Sequence, residues 1–148
     1  RVPFVARWPA LINPGTTSDE TICLIDLFAT TAEITGTPLP EAAEDSFSFL
    51  PILRGEEVVN PSRIAIIHHG IDGMFAVRSG SWKYIEGRGS GGWTYAGKED
   101  EPPGQLYDLA NDMAEKHNLY EKVPIVRQNM QKLLHRIRRD DATPAGGE

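Results

Sequence analysis

The sequence predicts a mixed α/β fold whose C-terminal part is α+β: a four-stranded antiparallel sheet packed on one C-terminal helix. Three observations lead to this class. Residues 63–85 contain apolar, β-branched and aromatic runs separated by glycine turns, which is typical of antiparallel strands. Residues 105–109 repeat that composition and predict a fourth strand. Residues 124–139 space their apolar side chains at helical intervals instead, which predicts a helix covering the sheet.

The chain opens directly on a strand-like run. Residues 1–8 are apolar on both faces, as in a strand covered on both sides, yet the chain offers few helices to cover it. We therefore expect this strand to belong to a sheet whose other strands are missing. The abrupt start, without an initiator methionine, indicates a fragment of a longer protein.

Residues 24–35 predict a helix that ends at Gly36, which fits a left-handed cap. Its expected apolar face consists of Leu24, Leu27, Phe28, Thr31 and Ala32. Cys23, the one cysteine, is expected to fill the core rather than to react, and it excludes an internal disulfide. Residues 49–53 predict a short helical turn that plugs a core.

The first strand of the sheet, residues 64–67, leads into the pair His68 and His69. Neighbours on a strand point to opposite faces, so the two imidazoles are not expected to hold one ion together. We expect His69, which adjoins the 70–73 loop, to meet a ligand. The alternative is structural: one histidine caps the sheet and the other is solvated.

Residues 87–104 form a long glycine-rich loop, a length that is usually functional or disordered. Trp93 and Tyr95 within it favour function, because a disordered segment has little use for two aromatic rings. Trp93 is the third candidate for substrate binding, beside His68 and His69. The alternative is that it plugs its own loop.

The last helix is predicted to start at Pro124, with one apolar stripe made of Val126, Met130, Leu133, Leu134 and Ile137. The basic residues 135–139 close this helix, where cations suit its dipole. Residues 140–148 are expected to form a flexible tail.

Composition restricts the function. The 148 residues carry a net charge of −6, which argues against a nucleic-acid partner, and no apolar run suggests a membrane partner. The sequence contains no Gly-x-Ser-x-Gly motif of serine hydrolases, no phosphate-binding loop ending in Gly-Lys-Ser/Thr and no zinc-binding His-Glu-x-x-His motif. We therefore expect no catalytic residue and no metal site in this chain.

Four segments, in this order, resemble the C-terminal third of a type I sulfatase, a member of the alkaline phosphatase superfamily. They are RVPFVARWP at 1–9, LIDLFAT at 24–30 ahead of Gly36, AVRSGSWKYI at 76–85, and QLYDL at 105–109 followed by Asn111-Asp112 and Asn118-Leu119. Met113 and Ala114 depart from the family, which commonly has Pro and Gly there.

The resemblance implies a fragment of an alkaline-phosphatase-like fold. Residues 1–61 would be the C-terminal edge of the large sulfatase domain, and residues 62–139 the small C-terminal subdomain. It also implies a formylglycine, made from a Cys/Ser-x-Pro-x-Arg motif, and a calcium ion. That motif is absent from this sequence, so the resemblance places both groups before Arg1 and implies that this chain alone is inactive.

The leading hypothesis is a C-terminal fragment of a sulfatase that hydrolyses sulfate esters, contributing scaffold and substrate-side contacts. Its expected partner is a sulfated small molecule or glycan, and the family suggests a periplasmic or secreted location. Self-association through the exposed strand edge of residues 1–8 is a further expectation. Two alternatives are open: a stand-alone binding domain without chemistry, and part of a related phosphatase.

Overall fold

The computed structural model describes residues 3–56 and 63–140, which fall into two compact units, Arg1–Arg63 and Ile64–Glu148. The predicted domain boundary at residues 61 and 62 lies outside the described residues. So does the predicted tail from residue 141 onward.

The first unit contains helix α1 (Asp26–Thr35), a short 3-10 helix (Glu41–Ala43) and helix α2 (Leu50–Leu53). Gly36 caps α1 in the left-handed conformation with φ of 65°, as predicted. The predicted helical plug at α2 is confirmed, because Phe49 and Leu50 are buried.

Residues 3–8, the described part of the strand predicted over residues 1–8, form no strand within this chain. A strand needs a neighbouring ladder for its backbone groups, and no described residue of this chain supplies one there. Val5 is 91% exposed, which fits a segment without a covering layer. Self-association through this segment stays a prediction.

The buried face of α1 also differs from the expectation. Leu24 and Phe28 are 78% and 54% exposed, whereas Asp26, Ala29 and Thr30 are buried. The reason is that the segment before α2 packs against α1 through hydrogen bonds rather than through apolar contacts. The amide of Ala29 donates to Ser46 Oγ at 2.9 Å, and the amide of Phe49 donates to Thr30 Oγ1 at 3.1 Å.

The second unit is the predicted four-stranded antiparallel sheet, in the order β1 (Ile66–His69), β2 (Phe75–Ser79), β3 (Trp82–Ile85) and β4 (Gln105–Asp108). Its register pairs Val77 with Tyr84 and Tyr84 with Leu106. These three residues therefore share one face of the sheet, and all three are buried.

Helix α3 (Pro124–Asp140) covers that face, as predicted. Met130 and Leu134 complete the buried cluster with Val77, Tyr84 and Leu106, while Leu133 packs at its border and is only partly buried. Within residues 3–56 and 63–140, no helix has the length and apolar character needed to cross a membrane.

Candidate functional site

The two candidate histidines are the last residues of β1, and they lie on opposite faces of the sheet, as strand alternation requires. The His69 ring contacts Phe75 at a centroid distance of 5.5 Å, on the face that α3 covers. His69 Nδ1 lies 2.9 Å from the carbonyl oxygen of Gly70. Since a carbonyl only accepts, this contact requires a proton on Nδ1, and in the Nδ1–H tautomer Nε2 is the acceptor of the ring.

His68 lies on the other face, near an ion pair in which Lys83 Nζ contacts both carboxylate oxygens of Glu115 at 2.8 and 2.9 Å. Partial desolvation lowers the pKa of His68 below its usual value, and the positive charge of Lys83 adds to this effect. The imidazole of His68 is therefore neutral at pH 7. It is suited to accept or donate a neutral hydrogen bond rather than to attract an anion.

A close backbone contact joins the histidine loop to the long 87–104 loop. A Cβ added to Gly70 would lie 2.1 Å from the carbonyl oxygen of Gly91, so only glycine fits at position 70. At the next positions, a Cβ on Gly92 would lie 3.7 Å from the Ile71 side chain. The end of β1 and the residues before Trp93 are thus adjacent.

Trp93 is 89% exposed and the adjacent Ile71 is 68% exposed. The indole therefore does not plug its loop, which removes the structural alternative considered from the sequence. Exposed aromatic and aliphatic side chains of this kind offer a flat apolar surface to a ligand. The structure brings Trp93 and the His69 end of β1 to the same pair of loops, while His68 faces away from His69.

A cavity of about 300 Å³ lies between the 87–104 loop and strand β4. Its lining includes Arg88, Tyr95, Glu101, Gln105 and Tyr107. Sequence reasoning missed it, since an arginine and a glutamate 13 positions apart in a loop are most often solvated. The one usable signal was Tyr95, an aromatic ring in a loop rich in glycine.

The first unit holds a buried ion pair that the sequence did not reveal. Arg63 donates through Nη1 and Nη2 to the two carboxylate oxygens of Asp26, at 2.9 and 2.7 Å. Asp26 also accepts from the amides of Cys23 and Phe47, at 2.6 and 3.1 Å. Asp26 therefore joins three separate segments, which contain Cys23, Phe47 and Arg63, at the start of α1.

The described residues provide neither a metal centre nor an activated nucleophile. Among residues 3–56 and 63–140, no group of three or more His, Cys, Asp or Glu side chains could hold a metal ion. Burial raises the pKa of the Cys23 thiol, which keeps it protonated and unreactive at pH 7. The described residues therefore do not fit the calcium ion that the sulfatase resemblance implies.

Comparison with known proteins gives one consistent result. The family model described as N-sulphoglucosamine sulphohydrolase, C-terminal, matches residues 1–140. The chain is 34% identical to an N-acetylgalactosamine-6-O-sulfatase of Bacteroides thetaiotaomicron over 142 residues, covering 93% of this chain and 27% of that protein. It is also 34% identical to human arylsulfatase A over 134 residues, covering 80% of this chain and 26% of that protein.

Solved structures agree with the sequence relatives. A structure from work on glycosaminoglycan metabolism by Bacteroides thetaiotaomicron matches with a TM-score of 0.60 and 32% identity, over 77% of this chain and 24% of that one. A protein solved in complex with D-glucosamine-2-N,6-O-disulfate shares the fold with a TM-score of 0.70 at 20% identity, over 96% of this chain and 29% of that one. The chain spans about a quarter of the length of the curated relatives it matches.

Proposed function

Since the chain belongs to the family of N-sulphoglucosamine sulphohydrolase C-terminal domains, we propose that it is the C-terminal part of a sulfatase that hydrolyses sulfate esters. The observation that supports this most strongly is the match of the family model to residues 1–140. In this role the second unit supplies a rigid sheet that carries substrate-side loops. The stand-alone binding domain is the weaker alternative, because the relatives named above are sulfatases of about four times this length.

In the proposed enzyme, the calcium ion and the formylglycine nucleophile are held by residues outside this chain. Formylglycine would supply the nucleophile in such an enzyme, and the calcium ion would supply positive charge beside the sulfate. The part assigned to this chain is different. Its residues orient the alcohol portion of the ester, at a distance from the sulfur.

We propose a sulfated sugar as the substrate class. Two relatives act on sulfated saccharides by their names, an N-acetylgalactosamine-6-O-sulfatase and an ulvan-active sulfatase. The exposed indole of Trp93 provides a face on which the apolar side of a sugar ring can stack. His69 Nε2 provides an acceptor for a sugar hydroxyl at the neighbouring loop. A periplasmic or secreted location, where polymeric glycans are met, fits this substrate class.

We expect the longer protein that contains this chain to release sulfate from N-acetylgalactosamine 6-sulfate, and the 148-residue chain to release none. The reason is that the chain lacks a Cys/Ser-x-Pro-x-Arg motif and, among its described residues, a metal-ligand cluster. Sulfate release measured by ion chromatography tests both expectations. Turnover by the chain itself, lost on mutating a residue within it, would contradict the proposal, as would a preference of the longer protein for phosphate esters.

The His69→Ala substitution in the longer protein is expected to lower kcat/KM for the sulfated sugar about three- to tenfold, the equivalent of one lost hydrogen bond. A minimal aryl sulfate should be turned over almost as before, because it lacks the sugar hydroxyl. Steady-state kinetics on both substrates provides the measurement.

Ile125→Ala is the matched control, since Ile125 is 74% exposed on α3 and should change neither substrate. Equal losses on both substrates in His69→Ala would place the imidazole at the sulfur centre. No loss on either substrate would return His69 to a structural role.

A further inference from the structure

The cavity under the 87–104 loop has a floor and a rim of different chemistry. Tyr107 is buried at its floor, where its hydroxyl donates to Gln105 Oε1 at 2.8 Å. Gln105 Nε2 donates in turn to the carbonyl oxygens of Gly87 and Gly89, both at 2.9 Å. The floor groups are thereby satisfied by the protein itself, and the polar groups left for a ligand lie at the rim.

Arg88 is the free donor at the rim. Its Nε donates to the carbonyl oxygen of Glu101 at 2.7 Å, which fixes the side chain. Within the described residues, its two terminal nitrogens make no hydrogen bond. They offer a planar pair of N–H groups, the geometry that bridges two adjacent oxygen atoms.

Glu101 and Tyr95 supply the complementary acceptor and an apolar face. The Tyr95 hydroxyl donates to the Glu101 carboxylate, which also accepts from the amide of Lys98 at 3.2 Å. These bonds lower the pKa of Glu101 and keep it ionised, with lone pairs to spare. The Tyr95 ring, 43% exposed, presents the flat surface beside them.

The charges select the class of ligand. Arg88 and Lys98 face the three carboxylates of Glu99, Asp100 and Glu101, so the loop has a net charge of −1 and offers a free sulfate or carboxylate no excess of positive charge. A cation would meet the guanidinium of Arg88. The molecule that matches a donor pair, an acceptor and an aromatic face is neutral, with adjacent hydroxyls on one edge and C–H groups on its face.

We propose that this cavity binds one unsulfated pyranose ring of a glycan, stacked on Tyr95 and held through adjacent hydroxyls by Arg88 and Glu101. The volume of about 300 Å³ is at the lower end of the range for small-ligand sites, which fits a single sugar unit. The choice of a sugar rests on the proposed sulfatase function. Binding at this site needs no sulfatase chemistry. The site would contact a sugar unit of the glycan other than the one that carries the cleaved sulfate ester.

The site is held in shape before a ligand arrives. A Cβ on Gly97 would lie 2.5 Å from the Cβ of Arg88, so these two stretches of the loop are packed in contact. Ser90 and Tyr95 close the loop by three hydrogen bonds of 2.8–3.1 Å. A preformed site loses little conformational entropy when a ligand binds.

The test is a titration of the full, ¹⁵N-labelled 148-residue chain with methyl β-galactopyranoside and methyl β-glucopyranoside, followed by ¹H–¹⁵N NMR. At least one pyranoside should bind with a Kd on the order of 1 mM and shift the amides of Gly89, Gly97 and Gly104. Tyr95→Ala and Arg88→Lys should each weaken binding at least about fivefold. Glu101→Gln, which keeps the shape of the side chain, should also weaken it.

Ile125→Ala is the control, because Ile125 is 74% exposed on α3 and does not line the cavity. It should leave the titration unchanged, and unshifted amides at Gly36 and Gly80 verify that each variant is folded. Absence of binding by both pyranosides, or competition by sodium sulfate, overturns the proposal; so does unaltered binding in Glu101→Gln. Sulfate release by the longer protein is measured separately, so failure of the cavity and failure of the sulfatase proposal are distinguishable.

Discussion

Replacing Asp26 with alanine is expected to destabilise the first unit by about 3–5 kcal/mol, the cost of leaving a buried charge without its partner. The side chains of Asp26 and Arg63 are 4% and 14% exposed, and their contact is bidentate. The same carboxylate satisfies the amides of Cys23 and Phe47, which are left without this acceptor when it is removed. Hydrogen exchange of the α1 amides measures the loss within this unit.

The matched control is Glu56→Ala, which breaks an ion pair with Arg54 of 3.9 Å between side chains that are 42% and 54% exposed. That substitution should cost less than about 0.5 kcal/mol, because exposed pairs are screened by water. A double-mutant cycle with Arg63→Ala isolates the pairwise energy of the buried contact. If Asp26→Ala cost less than about 1 kcal/mol, the carboxylate would not hold this unit together.

Leu134→Ala is expected to cost about 2–5 kcal/mol in the second unit, as for other fully buried leucines. Leu134 is 1% exposed and contacts the cluster of Val77, Tyr84, Leu106 and Met130. Shortening it leaves a cavity between α3 and the sheet that the rigid strands cannot fill. Chemical denaturation followed by the protection of the β2 and β3 amides provides the value.

Leu133→Ala tests the same helix one position away. Leu133 is only partly buried, so its loss should be smaller than that of Leu134. Ile125→Ala, on the exposed side of α3, should stay within about 0.5 kcal/mol. Equal effects at Leu133 and Leu134 would mean that α3 is rotated relative to the packing described above.

The sheet and α3 could be predicted because their signals are local. Alternation of apolar residues within 74–85 and the helical stripe from Val126 to Ile137 each specify a surface that must be covered, and each covers the other. The two-residue period of the strands and the 3.6-residue period of the helix therefore predict the fold of the second unit from local sequence alone. The predicted strand ends differ from the observed ones by one or two residues. For example, β1 includes both histidines, which were predicted to follow it.

The first unit was harder to predict because the apolar residues of its helix are not the residues that are buried. Leu24, Leu27 and Phe28 form an apolar stripe by sequence, yet all three are exposed. The buried face is set by Asp26 and Thr30 through hydrogen bonds to residues 19 or more positions away. Patterns of hydrophobicity do not report such polar contacts, and the run at 3–8 has no strand partner among the described residues.

The candidate site was predictable only in part. The sequence identified His68, His69 and Trp93 as residues of interest, and their roles remain proposals. It gave no indication that Gly70 and Gly91 touch, because that contact joins two loops 21 positions apart. The cavity with Arg88 and Glu101 was missed for the same physical reason. It depends on how the loop folds back on β4, and glycine-rich loops encode this weakly.

The contact between Gly70 and Gly91 also limits which positions of this surface can be substituted. Any side chain at position 70 has to displace the carbonyl of Gly91, so a change there moves both loops at once. Ile71 and Trp93, both largely exposed, lie just beyond that contact and can be varied without disturbing the backbone. A library that varies this surface should therefore randomise Ile71 and Trp93 together and keep both glycines fixed.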